Sequence, residues 1–287
     1  MSIARGAFAV VAALIIGVET SAQAPLDATA VAMRTRAAIV ALDRYMETWN
    51  SRNAATWATS LHFPHVRPGP GAFELSRTPE EYAAGIDFEA TLRTGWHHSE
   101  WISRDVLQVG VDKVHAAGVW QRFTADGKAL AASAITYVIT NQNNHWGVQS
   151  RFAAGVGGAD QATVTRNGAA ALAAVTAFFD AWNSHEPDKV VAAMHFPHVR
   201  VADGGVEVWA DAGAYLKGPE PGRQRTWFQT RLDESKVVQA TATGVNVTVS
   251  FSKMGRNGQE LSRDLALILV TLRDNVWRVQ ARSTMGS

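Results

Sequence analysis

The sequence predicts an α+β protein made of two tandem copies of one unit, and three observations carry this prediction. The chain has 287 residues, 47% hydrophobic and 18% charged, which is enough for one or two globular domains with full cores. The hexapeptide His-Phe-Pro-His-Val-Arg occurs at 62–67 and again, unchanged, at 195–200. In both places a helical apolar period precedes the hexapeptide and strand-like apolar patterns follow it.

The repeat sets the predicted domain boundaries. Its spacing is 133 residues up to the third helix and 131 residues after a two-residue deletion. We expect a first domain at 25–153, a linker rich in Gly and Ala at 154–168, and a second domain at 169–287. Matching pairs along the two copies are Trp49 and Trp182, Tyr82 and Tyr215, Trp96 and Trp227, Trp146 and Trp277, and Arg151 and Arg282.

The N-terminal segment 1–24 has the form of a signal peptide. Arg5 precedes an apolar run at 7–18, and small residues follow it. The run is shorter than the roughly 20 apolar residues that cross a bilayer, so we expect cleavage rather than membrane insertion. The mature protein is predicted to be periplasmic or secreted from a bacterium.

Composition excludes several classes of function. The net charge is +1 and the sequence has no Lys/Arg runs, so it lacks the clustered positive charge that binds nucleic acid or an anionic membrane. The absence of cysteine excludes disulfides, thiolate zinc sites and cysteine nucleophiles. No HExxH or carboxylate-rich pattern indicates a metal, and we expect no cofactor.

Each unit is predicted to begin with helices. In the first unit the apolar residues of the opening helix lie at spacings of three and four, from Ile39 to Trp49. A short second helix is expected at about 53–61, with its counterpart at 187–194. A third helix begins at Thr78-Pro79-Glu80-Glu81, a capping box with Pro at the first helical position, and Asp211 takes the same place in the second unit.

The remaining elements are predicted strands. Proline makes the hexapeptide extended, and we expect an edge strand paired with residues near Phe73, or with 206–209 in the second unit. Four long strands then end each unit. Asp126-Gly127 and Asn257-Gly258 predict two-residue hairpin turns, and the continuous apolar runs at 134–139 and 265–270 are typical of a central strand.

This element order, with a Trp-Asn-Ser helix end at 49–51 and 182–184, resembles the nuclear transport factor 2 superfamily and, within it, the SnoaL-like proteins. The resemblance implies a curved, mostly antiparallel sheet wrapped around about three helices. The resulting cone holds a small, largely apolar molecule at its open end. Members dimerise through their sheets, so tandem copies imply an intramolecular pseudo-dimer that is monomeric as a chain.

Enzymes of this superfamily include ketosteroid isomerases, dehydratases and polyketide cyclases. The isomerase pattern carries over poorly. Its oxyanion-donating tyrosine matches Tyr45, but the second copy has Phe178 there. Its general-base aspartate falls near Pro68 or Gly69, and only Asp203 offers a carboxylate near the same place in the second copy. The resemblance therefore argues against steroid isomerisation.

The candidate catalytic residues are His65, Arg67 and Tyr45. On a strand His65 and Arg67 share a face, so the imidazole is a candidate general base beside a cation that holds a carboxylate or enolate. The alternative is that the hexapeptide only pins its strand to its neighbours by hydrogen bonds.

Further candidate pocket residues are Trp49, His62, Trp96, His98, His195, His198, Arg200 and Trp227. Tryptophans without a repeat partner, free to line a pocket mouth, are Trp57, Trp101, Trp120 and Trp209.

Three functions remain open at this point. The first is binding of a small hydrophobic or carbonyl compound without chemistry. The second is a cofactor-free lyase or isomerase in the first domain, which has the more polar predicted interior. The third is a structural pseudo-dimer that recruits another protein.

Overall fold

Both copies fold into the same succession of helices and strands. The protein is described here by a computed structural model over residues 26–71, 73–155, 160–202, 205–218 and 227–285, and the predicted signal peptide lies outside these ranges. The elements of the first domain are α1 (Ala28–Asn50), α2 (Ala54–Ala58), β1 (Leu61–Pro68), β2 (Phe73–Ser76), α3 (Pro79–Ala84), α4 (Phe88–Leu92), β3 (His98–Val109), β4 (Lys113–Phe123), β5 (Ala129–Gln142) and β6 (His145–Ala153). Those of the second are α5 (Gln161–Asn183), α6 (Pro187–Ala192), β7 (Met194–Ala202), β8 (Gly205–Trp209), α7 (Ala212–Lys217), β9 (Gln229–Ala240), β10 (Gly244–Met254), β11 (Glu260–Arg273) and β12 (Val276–Thr284).

Each domain has one six-stranded sheet. The strand orders are β2-β1-β6-β5-β4-β3 and β8-β7-β12-β11-β10-β9. All pairings are antiparallel except β1 with β6 and β7 with β12, which are parallel. The predicted α+β class with two tandem units is confirmed. The hexapeptide strands pair with β2 and β8 as predicted, but the predicted edge position is wrong, because β6 and β12 hydrogen-bond to their other side.

The helix boundaries differ from the prediction in two places. Helix α5 begins at Gln161, so the predicted linker at 154–168 is helical over its second half. The Asp160 side chain caps it by accepting from the Thr163 N–H at 2.7 Å, and Gly168 packs against Val237. The first domain also contains α4, a one-turn helix capped by Asp87 that lay beyond the three predicted helices.

The capping and turn predictions are largely confirmed. The Thr78 side chain accepts from the Glu81 N–H at 3.2 Å, as the capping box requires. Gly127 and Gly258 have φ of +80°, where glycine is favoured, and both lie in hairpin loops. The predicted two-residue turns are instead five-residue connections, 124–128 and 255–259, because the Thr124 and Gly255 N–H groups bond to the carbonyls of residues 128 and 259.

The two faces of each sheet serve different cores. In β5, Tyr137 and Ile139 join the core formed with α1, whereas Val138 between them joins a cluster shared by both domains. In β11, Ile268 faces the helices of its own domain and Leu267 faces the shared cluster. Burial on both faces explains the continuous apolar runs that predicted central strands.

Buried polar groups also join the domains. The Asn246 amide donates to Thr136 Oγ1 at 2.9 Å and to the Phe152 carbonyl at 2.8 Å. His115 lies 2.8 Å from Ser283 Oγ across the same boundary. These bonds satisfy polar groups that the packing of the two sheets removes from water. Within the described ranges, no helix combines the length and the apolar character needed to cross a membrane.

Candidate functional site

The first domain contains a cavity of about 610 Å³ between α1, α2, the connection after β1, and strands β4 to β6. Its volume falls in the range of small-molecule pockets. The lining side chains used below are Tyr45, Trp49, Trp57, Arg67, Glu74, Asp87, Trp120, Arg122, Ser133, Arg151 and Ala153.

Aromatic rings form much of the cavity wall. The Trp49 and Trp57 ring centroids are 4.5 Å apart, and Tyr45 lies 5.7 Å from Trp57. The Trp57 Nε1–H is buried and has no hydrogen-bond partner among the described residues. The wall therefore offers a largely apolar surface of aromatic rings, which suits a flat apolar molecule.

Arg151 is the most buried charge in the cavity. It projects from β6, is 7% exposed, and contacts the Tyr45 hydroxyl. Its guanidinium lies 5.8 Å from the Tyr45 ring centroid and 5.6 Å from that of Trp57. Within the part of the chain that the structure describes, its Nε has no partner. The cation is held by π faces and one phenol rather than by a carboxylate.

Two further guanidinium groups lie close to Arg151. Arg67 forms an ion pair with Glu74 at 2.6 Å. Arg122 lies over the Trp120 and Trp49 rings, at 5.3 and 5.7 Å, and its buried Nε lacks a partner in the described ranges. Burial, and next the nearby Arg151 cation, lower the pKa of both Arg67 and Arg122. The cavity thus holds three cations that repel one another.

The predicted catalytic residues are only partly brought together. Tyr45 and Arg67 line the cavity. His65 does not line it: its ring is 1% exposed, its Nδ1 lies 3.1 Å from the Val148 carbonyl oxygen, and the Tyr82 ring packs against it at 5.3 Å. Burial first, and then the Arg151 and Arg67 cations, lower the pKa of His65 well below its ordinary value. His65 is a neutral packing residue here, not a base facing the cavity.

Of the other first-domain candidates, only Trp49 lines the cavity. Trp96 lies in the core at 2% exposure, and its Nε1 donates to Ser99 Oγ at 2.9 Å. His62 does not line the cavity: its Nδ1 lies 2.8 Å from Thr140 Oγ1 and its Nε2 lies 3.0 Å from His145 Nδ1. His98 stacks on Phe123 at 5.3 Å. The predicted placement of His62, Trp96 and His98 in the pocket is therefore wrong, because neighbours in the fold occupy their polar atoms or faces.

The second domain has a smaller cavity of about 170 Å³. Arg200 and Trp227 line it as predicted, and Arg200 is ion-paired with Glu207. His195 and His198 do not line it. His195 Nδ1 lies 3.0 Å from Thr271 Oγ1, and the fully buried His198 packs 6.0 Å from the Trp209 ring.

Sequence reasoning missed Arg122 and Arg151 as cavity residues, although the repeat pairs Arg151 with Arg282. The signal that could have identified these cavity residues is a charged residue beside apolar residues on a strand that faces inward. Of the four tryptophans expected to be free to line a pocket mouth, Trp57 and Trp120 line the first cavity, whereas Trp101 and Trp209 line neither cavity.

The structure also locates the positions of the isomerase pattern. Tyr45 lines the cavity, and so do Pro68 and Gly69, where the pattern has its general base. Neither of these two residues can accept a proton. Asp203, the only compensating carboxylate, lies outside the described residues. Over the ranges described, no group of three or more His, Asp or Glu side chains is arranged to hold a metal ion.

The fold and cavity define a class: tandem α+β domains, each with a helix-packed six-stranded sheet that closes around a pocket. Residues 37–154 match the family described as NTF2-like protein (DUF6841). The first domain therefore matches an NTF2-like family, the second repeats its strand order, and the predicted resemblance to this superfamily in two copies is confirmed. No curated protein matches the sequence.

Similar solved structures each align with less than half of this chain. An NTF2-like protein with a cystatin-like fold from Novosphingobium aromaticivorans is 20% identical, with 47% of this chain and 93% of that chain covered and a TM-score of 0.37. A ketosteroid isomerase-like protein from Erwinia carotovora atroseptica is 21% identical. The alignment covers 42% of this chain and 95% of that chain, with a TM-score of 0.32. A protein from Catenulispora acidiphila solved in complex with S-DNPA is 13% identical, with 42% and 92% covered and a TM-score of 0.36.

Proposed function

We propose that this is an exported binding protein whose first domain takes up a small, largely apolar carbonyl compound. The observation that carries the proposal is the cavity of about 610 Å³, which combines an aromatic wall with three guanidinium groups. Pockets of this size and lining commonly bury small ligands. The signal-peptide pattern at 1–24 supports export, and the packing of the two sheets supports an intramolecular pseudo-dimer.

Binding without chemistry is favoured over acid–base catalysis. Tyr45 and Arg67 can polarise a carbonyl group, but abstraction of a proton beside it needs a base within hydrogen-bond reach. His65 does not line the cavity and packs against the Tyr82 ring at 5.3 Å, and Pro68 and Gly69 occupy the position of the isomerase base.

Native mass spectrometry of the full chain, purified from its own periplasm, tests the proposal. A retained small molecule is expected. Ala153→Trp, which places an indole in the first cavity, is expected to abolish retention. The matched variant Thr284→Trp fills the second cavity and is expected to leave retention unchanged. Loss in the second variant but not in the first, or no retained molecule in the wild type, contradicts the proposal.

A further inference from the structure

We infer that the occupant of the first cavity is an apolar monocarboxylate whose carboxylate group lies between Arg122 and Arg151, beside Ser133. This rests on the proposed function, since it names the class of molecule that the cavity takes up. It is carried by the charges in the cavity and by a comparison of the two copies.

The cavity has more cations than anions. Of its two lining carboxylates, Glu74 is ion-paired with Arg67. Asp87 is exposed, accepts from the Ala90 N–H at 2.9 Å as the cap of α4, and lies 3.8 Å from Arg93. Among the described residues, neither of these carboxylates forms an ion pair with Arg122 or Arg151. A buried charge without a counterion is costly, so an anion that enters here gains the attraction of two cations.

The second domain carries carboxylates that pair with the cations at the equivalent positions. Its Arg200–Glu207 pair repeats Arg67–Glu74. Lys253 takes the place of Arg122, at the 131-residue spacing, and is paired with Asp264 at 3.0 Å.

Asp264 corresponds to Ser133, so the first domain has a neutral hydroxyl where the second has the carboxylate that pairs with the cation. Arg282, the counterpart of Arg151, is also buried and lies 5.2 Å from the Trp182 ring centroid. The fold therefore accommodates one guanidinium on aromatic rings. What sets the first domain apart is the second cation, Arg122, left without its carboxylate in a cavity more than three times larger.

The lining favours a carboxylate attached to an apolar body. A guanidinium presents parallel N–H groups that match the two oxygens of a carboxylate. Arg122 and Arg151 both line the cavity, and neither is paired with a carboxylate in the described chain. The tryptophan rings of the wall suit an aromatic or alkyl group rather than a strongly hydrated polyanion.

Calorimetry on the full-length wild type tests the inference without any substitution. The probes are benzoate, cinnamate and 2-naphthoate, each compared with its primary amide. At least one carboxylate is expected to bind about tenfold or more tightly than its amide, as for a charge-assisted hydrogen bond. Equal affinity within every pair overturns the inference and leaves the proposed function standing. No binding by any probe overturns the inference, and the proposed function fails only if no retained molecule is found either.

Substitution of Ser133 provides the matched test. Ser133→Asp supplies the carboxylate found in the second domain and is expected to weaken carboxylate binding about tenfold or more while changing amide binding little. Ser133→Asn, similar in size to Asp but neutral, is expected to change carboxylate and amide binding by the same factor, and Asp264→Asn in the other domain is expected to leave the preference for the carboxylate unchanged. A Ser133→Asp protein that is folded by circular dichroism and still binds the carboxylate as wild type overturns the inference.

Discussion

Acidification from pH 7 to pH 5 is expected to destabilise both domains through His62 and His195. These matched histidines are 6% and 7% exposed. Burial first, and then His145, lower the pKa of His62 to about 4. Burial first, and then Arg273 and Arg278, lower that of His195 to about 4 as well. Both folded-state values lie below the ordinary value of 6.5, so the unfolded chain binds more protons between these limits.

The magnitude follows from linkage. At pH 5 an imidazole with pKa 6.5 is about 97% protonated and one with pKa about 4 is about 10% protonated. The difference in bound protons between the unfolded and folded states, integrated from pH 7 down to pH 5, gives a loss of about 2 kcal/mol of stability for each histidine. Since the folded-state pKa is lowered, this stability is fully present above pH 6.5 and is lost as the pH falls towards 4. The two sites together contribute about 4 kcal/mol to the acid sensitivity of the chain.

Urea denaturation at a series of pH values, followed by tryptophan fluorescence, measures the effect. His62→Asn and His195→Asn keep a polar atom near Thr140 Oγ1 and Thr271 Oγ1 and remove the titration. The double variant is expected to lose about 4 kcal/mol less than wild type between pH 7 and pH 5, and to run parallel to it above pH 7. Curves that stay parallel down to pH 5 refute the reasoning.

Three further substitutions test the packing, each by the free energy of unfolding in urea. Ser99→Ala removes the acceptor of two buried tryptophan Nε1–H groups, at 2.9 and 3.0 Å, and is expected to cost roughly 1–3 kcal/mol for each donor, whereas Ser99→Thr keeps the acceptor. Leu269→Ala in the shared cluster is expected to cost about 2–5 kcal/mol, against little change for Ile102→Ala at a 61% exposed position; equal effects would contradict this. Gly118→Ala places a methyl group 2.7 Å from the Trp101 ring and is expected to cost about 1–3 kcal/mol, so an unchanged stability would show that the ring moves freely.

Features encoded by local chemistry were predictable. The capping residue Thr78, the loop glycines 127 and 258, and the apolar run of β5 each follow from backbone or packing rules that act over a few residues. The exact repeat supplied the domain count, because two copies of one pattern require two copies of one fold. Tyr45 was found through the resemblance, which matches it to the isomerase tyrosine, and Arg67 was found as the cation of the repeated hexapeptide.

The direction of His65 was not predictable from the period of two. The register of β1 with β2 is regular from His65 to Pro68, so His65 and Arg67 lie on one face, but the Tyr82 ring of α3 packs against His65 at 5.3 Å. The role of Arg122 depends on Ser133 across the β4–β5 hairpin, a relation that becomes visible only when the two copies are compared at equivalent positions. Both cases depend on a neighbouring element of the fold and not on the pattern within one strand.

Strands β5 and β11 place alternate residues in two different cores, and this limits how the protein can be dissected. A fragment that ends near residue 155 would expose Val66, Val138 and Phe152 to water, all fully buried in the intact chain. Such an apolar sheet face invites self-association, so an isolated half would report on its own aggregation rather than on its pocket. The contribution of each pocket to binding is therefore best measured with point substitutions in the full-length chain.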